Sequence, residues 1–342
     1  MAWPTPQSSK NQVKKSGKYF RDNPRENFNK TTCGKENLQV LSNWRDVHGA
    51  VLNTAQAWIR RLDKSRDIIV AQRLKRFDTI LDKLVTARSS DLSTMHDIAG
   101  VRVIFKNEGD LRDFRKKMEK SRAKHIRKNT VDHYDYIKRP KETGYRGVHD
   151  VYERRCSTKT VYNGLKFEVQ LRTSVQHAWA TAVEIYDLSQ GTRLKFSSMS
   201  EEDNVRQYFS YISELLARHH EKKICCLTDL SIQDLRAKCL EMEAATKVVT
   251  SIKSLRAATK VGRLEKNSVL YLTKKRKLYA KKYPSMPIAM KALKQLENQE
   301  NIINVVLVGA QEPKHIRNAF RNYFSDAAEF VELYEEALEQ KV

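Results

Sequence analysis

The chain is short of acid. Its 342 residues hold 41 Asp and Glu against 64 Lys and Arg, a formal net charge of +23. So large a surplus implies a polyanionic partner, with nucleic acid or nucleotides as the first candidates. The shortage is uneven: residues 226–342 carry 20 basic and 14 acidic side chains, so +17 of the surplus falls on residues 1–225. No run of 18 apolar residues occurs, which leaves no candidate for a spanning helix. The N-terminus, MAWPTPQSSKNQVKKSGK, lacks the apolar stretch of a secretory signal. Cys33, Cys156, Cys225, Cys226 and Cys239 form no CxxC pair and are odd in number. That usage fits reduced thiols in a cytoplasmic protein. His219 and His220 precede Cys225, Cys226 and Cys239, but at a spacing that matches no common zinc pattern. The GxxxxGK[ST] loop and the kinase motif set are both missing, so phosphates would be gripped by side chains. No internal repeat is present.

What is present divides the chain. Residues 1–40 are polar and read as a flexible basic arm. Trp44, Val47, Val51, Ala55, Trp58 and Leu62 recur at steps of three and four, one helical stripe. A second helix is expected over residues 66–85, with Arg73, Arg76 and Lys83 near one of its faces. Val101–Phe105, Val148–Arg154 and Leu165–Arg172 read as strands, and His133–Ile137 as extended. Residues 111–121, 173–188 and 201–223 read as helices. Interleaved strands and helices imply a mixed β-sheet flanked by helices, an α+β or α/β fold. Beyond Cys226, helices over residues 230–258 and 264–282, a strand at Asn304–Gly309 and two terminal helices predict a smaller C-terminal α+β domain, residues 226–342.

The chemistry concentrates between residues 97 and 177. In Leu165–Arg172, period-two alternation puts Leu165, Phe167, Val169 and Leu171 on one face and Lys166, Glu168, Gln170 and Arg172 on the other. A stretch rich in Tyr, His, Lys and Arg runs from His133 to His149. Interleaved rings and cations suit nucleotides, since rings stack on bases and cations meet phosphates. Asp97 precedes one strand and Glu168 lies within another. The two make a magnesium site if those strands are neighbours.

RxK (Arg73, Lys75), HDIAGVRVIF (His96–Phe105), YDYIKRPKETGYRGVH (Tyr134–His149) and FEVQLRTSVQHAWA (Phe167–Ala180), in that order, resemble the RelA/SpoT alarmone synthetase domain over residues 41–225. The resemblance implies a nucleotidyltransferase-like fold that moves the β,γ-pyrophosphate of ATP to a ribose 3′-hydroxyl. It implies that Arg73 and Arg102 clasp adenine and that Lys75, Lys83 and Lys138 hold phosphates. Asp97 and Glu168 would hold Mg²⁺, with Glu168 also taking the hydroxyl proton. Tyr145 would stack on the acceptor base, with Arg146, His149, Gln170, Arg172 and His177 lining its pocket.

A small synthetase with a C-terminal extension is similar to the toxic small alarmone synthetases, in particular the fused toxin–antitoxin CapRel type. That likeness implies the 3′-CCA end of tRNA as acceptor, blocked aminoacylation and arrested translation. Lys116, Lys117, Lys120, Arg122, Lys124, Arg127 and Lys128 would then bind tRNA. Residues 226–342 would be a pseudo-zinc-finger-like antitoxin domain, with Phe320 and Tyr323 covering the ATP site until a phage protein releases them. The alternatives are an alarmone synthetase using guanine or adenine nucleotides as acceptor, and a degenerate RNA-binding module.

Overall fold

The computed structural model describes residues 3–63, 68–86, 91–190, 200–254, 267–274, 278–299, 301–309 and 327–339. The helices are α1 (Lys10–Asp22), α2 (Thr32–Leu62), α3 (Phe77–Val85), α4 (Glu108–Glu119), α5 (Ser174–Gln190), α6 (Ser200–His220), α7 (Ile232–Thr246), α8 (Val248–Ser254), α9 (Met286–Glu297) and α10 (Ala328–Leu338). The strands are β1 (Ile69–Leu74), β2 (Ala99–Phe105), β3 (Ile126–Arg127), β4 (Val148–Glu153), β5 (Lys166–Thr173), β6 (Ser268–Thr273), β7 (Leu278–Lys282) and β8 (Ile302–Gly309). They form one eight-stranded mixed sheet in the order β3-β4-β5-β2-β1-β8-β6-β7. β2 and β5 run parallel, and the remaining pairs are antiparallel.

The alternation in β5 decides how the sheet is covered. Phe167, Val169 and Leu171 are completely buried and join a core with α2. There Trp58 packs edge-on against Tyr152 and Phe167. On the same side Phe114 of α4 meets Phe105 of β2. The opposite, polar face looks toward a second apolar cluster built from α5, α6, α7, α8 and α10. The fold is therefore α+β in three layers: helices, sheet, helices. No helix among the described residues is long and apolar enough to cross a membrane.

Several expectations are corrected. The first 40 residues are not a loose arm: Ser9 and Gln12 form a capping box for α1, and Val13, Phe20 and Phe28 are buried. A handful of well-spaced apolar residues outweighs a polar average. Residues 69–74 are strand, not helix, because β1 is paired on both edges, by β2 and β8. Residues 268–273 and 278–282 form the β6–β7 hairpin rather than a basic helix, with Tyr271 stacked on Tyr279 across it. His133–Ile137 is mostly turn, with a single bridge from Asp135 to Val148.

The C-terminal third does not stand apart. β8 lies beside β1, so the sheet is continuous from residue 69 to residue 309. Buried Arg45 on α2 makes a forked pair with Glu297 on α9, at 2.7 and 2.9 Å, and donates to the Lys75 carbonyl at 2.7 Å. The acidic helix α10 docks through Phe330, Tyr334 and Ala337 onto the α5–α8 layer, with Tyr334 bonded to Tyr208 at 2.7 Å. Phe320 and Tyr323 lie outside the described residues.

Candidate active site

Sheet register assembles the polar face. Gly100 stands opposite Glu168 and Arg102 opposite Gln170 on β2 and β5. Arg73 on β1 stands opposite Gly100, and His149 on β4 opposite Gln170. Cross-strand partners share a face, so residues far apart in sequence converge over β1, β2, β5 and β4. Asp97 lies two residues before β2, beside the Gly100–Glu168 pairing.

Asp97 is held by two cations: its Oδ2 accepts from Lys75 Nζ at 2.7 Å and Lys83 Nζ at 2.6 Å. Burial opposes its charge, but the two ammonium groups prevail and hold the carboxyl below its ordinary range. Asp97 Oδ1 is buried and accepts no hydrogen bond among the described residues. Burial, only partly offset by Asp97, pulls Lys75 down to about 8.

Glu168 is the second anchor. Its Oε1 receives His149 Nδ1 at 3.0 Å and its Oε2 receives Gln170 Nε2 at 2.6 Å. His96 Nε2 stands 3.9 Å from Oε1. Burial raises the Glu168 carboxyl, but His149 and the Gln170 bond overcome that and hold it at about 2, while nearby Asp97 opposes them. The carboxylates are thus close enough to repel, with one oxygen of Asp97 unspent. That pattern fits a divalent cation taking oxygen from each and completing its shell with phosphates and water.

His149 Nε2 lies 2.5 Å from the Tyr145 hydroxyl, which also accepts from Arg172 Nη2 at 2.9 Å. Burial disfavours the imidazolium, yet Tyr145 and Glu168 raise His149 to about 9. This makes a sign-specific prediction. The raised value stabilises the fold fully below the unfolded value near 6.5, and that contribution is lost as pH rises through about 9. Denaturant titrations of wild type and His149→Gln are expected to show a gap that is widest below pH 6.5 and closes toward pH 9. A constant gap would show that His149 carries no excess proton.

The Tyr145 ring is half-buried, packed on one side against the apolar cluster of α5 and α6 and surrounded otherwise by rings and cations. Tyr136 and Trp179 lie 5.7 and 6.4 Å away, Arg172 stands 5.1 Å over the ring and Lys141 5.4 Å. Gly144 has φ +84, and an added Cβ would fall 2.8 Å from Ser213 Cβ, so only glycine fits that turn.

Not every candidate joins this group. Lys138 is exposed and paired with Asp132 at 2.8 Å. Arg146 points away, buried at 2% exposure and paired with Glu221. His177 is buried on α5. Arg127 is spent on Asp150 and Glu119. Lys116, Lys117, Lys120, Arg122 and Lys124 are exposed on and after α4, which packs on the sheet's other side, whereas exposed Lys128 follows β3 at the sheet edge and pairs with Glu153 at 3.6 Å. Sequence reasoning gave no role to Lys141 and Tyr136, which meet at 4.5 Å, or to His96. The aromatic–basic density of residues 133–149 was the available signal. Of the His and Cys residues near positions 219–239, Cys225 and Cys226 give their amides to buried Glu214 and His220 bonds to the Leu333 carbonyl. No group of three or more metal-binding side chains exists among the described residues.

Gly100 leaves a gap in the polar face. A Cβ there would meet only the Arg73 carbonyl at 3.6 Å, an ordinary contact. Gly100→Val should therefore fold normally, with a melting temperature within a few degrees of wild type. Its methyl groups should fill the space beside Glu168 and Arg73, and a nucleotide probe such as ATP that seats on this face should then bind about tenfold or more weakly, roughly 1.4 kcal/mol. Calorimetric titration with ATP checks this.

Residues 72–189 match the family model described as "Region found in RelA / SpoT proteins". The chain is 30% identical over 115 residues to GTP pyrophosphokinase YwaC and 32% identical over 125 residues to GTP pyrophosphokinase YjbM, both of Bacillus subtilis (strain 168). These matches cover 32% and 35% of this chain and 52% and 56% of the relatives, so the chain spans about half the length of each. Among solved structures, small alarmone synthetase 1 from Bacillus subtilis bound to its product pppGpp matches with 24% identity and a TM-score of 0.40, over 51% of this chain and 86% of that one. Small alarmone synthetase 2 from the same organism matches with 22% identity and a TM-score of 0.41, over 54% and 93%. Asp97 and Glu168 both lie inside the matched stretch, residues 72–189.

Proposed function

We propose that the chain is an ATP-dependent pyrophosphotransferase of the RelA/SpoT type. The observation that carries this reading is that Glu168 on β5 and Asp97, just before the neighbouring strand β2, stand near enough to oppose each other's charge, with Tyr145 joined to Glu168 through His149. Attack on the β-phosphorus of ATP needs alignment and charge neutralisation more than covalent help. Arg73 and Arg102 project from neighbouring strands to receive the adenine. Lys75 and Lys83, which hold Asp97 here, are placed to take up phosphate oxygens. Mg²⁺ on Asp97 and Glu168 would supply the remaining neutralisation of the triphosphate. Glu168, held anionic by His149, accepts the proton of the attacking hydroxyl directly or passes it to a water. Tyr145 offers its ring to the acceptor base, and Arg172 and His149 fix its hydroxyl end.

The acceptor reading favoured by the relatives is a guanine nucleotide, since both are GTP pyrophosphokinases by name. A second reading, the 3′-CCA end of tRNA, is favoured by the net charge of +23. Under it the protein is a translation-blocking toxin restrained by residues 226–342 and released by a phage protein. Such a release would have to act through the β1–β8 pairing and the seat of α10, because these residues share the sheet and its helical layer. Incubation with ATP labelled in the β,γ-phosphates and either GTP or deacylated tRNA separates the readings. The guanine-nucleotide reading expects label on GTP, the toxin reading expects label on tRNA, and label on neither would overturn both.

A further inference from the structure

Arg146 was expected to touch the acceptor, but its side chain runs the other way, into a buried cluster that no substrate reaches. Its Nη1 pairs with Glu221 Oε2 just past α6, and its Nε donates to Ser213 Oγ at 3.2 Å. Ser213 Oγ donates in turn to the Gly144 carbonyl at 2.6 Å. Both neighbours of Tyr145 are therefore tied to α6. The other oxygen of Glu221 accepts from Thr173 Oγ1 at 2.7 Å and from Gln176 Nε2 at 3.0 Å. Thr173 ends β5, the strand that carries Glu168, and adjoins Arg172, which bonds to Tyr145.

We infer that Glu221 is a positioning residue, which together with Arg146 and Ser213 sets the Tyr145 ring at a fixed distance from the Glu168 carboxylate and so governs the acceptor half of the site. The inference rests on the reading of Tyr145 as the acceptor's base ledge. Its physical ground is the cost of the arrangement. A buried ion pair contributes little net stability, because desolvation offsets the Coulomb gain. What the pair does supply is geometry, since a forked cation and a carboxylate meet well in few orientations. Here that geometry links the loop at Gly144–Arg146, the end of β5, the start of α5 and α6. Lys75 and Lys83, the cations that hold Asp97, take no part in these bonds.

The test compares wild type, Arg146→Met/Glu221→Met, Arg146→Met, Arg146→Lys and Ser213→Ala, with GTP and tRNA as acceptor probes. The double variant leaves no unpaired buried charge between the two positions and is expected to keep its circular dichroism spectrum. Its acceptor kcat/KM should fall about 10- to 100-fold, the scale set by small misplacements of reacting groups, while the KM for ATP stays within about twofold. Arg146→Lys should recover part of what Arg146→Met loses. If the double variant fails to fold, Ser213→Ala decides by the same split. Equal losses for ATP and acceptor, or no loss, would overturn the inference. Hydrogen–deuterium exchange over residues 141–150 reads the clasp without any reaction. Faster exchange in the variants of an inactive wild type would place the failure in the pyrophosphotransferase reading, and unchanged exchange would sink the clasp itself.

Discussion

Replacing Glu168 with glutamine is expected to lower pyrophosphate transfer by about 10³-fold, the range for loss of a general base, with the fold retained. The substitution preserves volume and a hydrogen-bond acceptor, so Val169 and Leu171 keep their places in the core. It removes the negative charge that faces Asp97, His149 and the incoming metal. A second readout comes with it. His149 is held up to about 9 in part by Glu168, so its value should fall in the variant, visibly by NMR. Activity within tenfold of wild type would mean that the carboxylate pair is not the reaction centre.

Replacing Glu297 with alanine is expected to cost about 3–5 kcal/mol of stability, the penalty for stranding one partner of a buried pair. Arg45 is 2% exposed, and in the variant its guanidinium would lose both Glu297 oxygens and keep the Lys75 carbonyl. The loss should also reach the site, because that carbonyl belongs to the residue whose ammonium holds Asp97. Chain truncated after residue 225 should fare worse: it loses Glu297 and lays bare the edge of β1 that β8 covers. Urea denaturation of the point variant and solubility of the truncation check both. A truncated chain as stable as the whole would mean that residues 226–342 are a detachable domain after all.

The site was more legible than the frame that carries it. Strict alternation in β5 identified the polar face, and the order of motifs marked Asp97, Glu168 and Tyr145. Whether the two carboxylates met depended on β2 and β5 being neighbours, which no local pattern reveals. β1 was misread because Leu74 leads at helical spacing into Phe77, Ile80, Leu81 and Leu84 of α3, and the pairing with β2 and β8 settles the choice. The β6–β7 hairpin was hidden by its lysines, which favour helix in isolation. Arg146 was misplaced because sequence neighbours on a tight turn point in opposite directions. The glycine at 144 signals the turn but not which side faces the ligand.

The most direct test of the central claim follows both products of one turnover. With ATP labelled in its terminal phosphates and an acceptor present, the account predicts AMP and labelled acceptor in equal amounts, with both falling together, by about 10³-fold, in Asp97→Asn or Glu168→Gln protein. Release of ADP with inorganic phosphate, or AMP without a labelled acceptor, would contradict it.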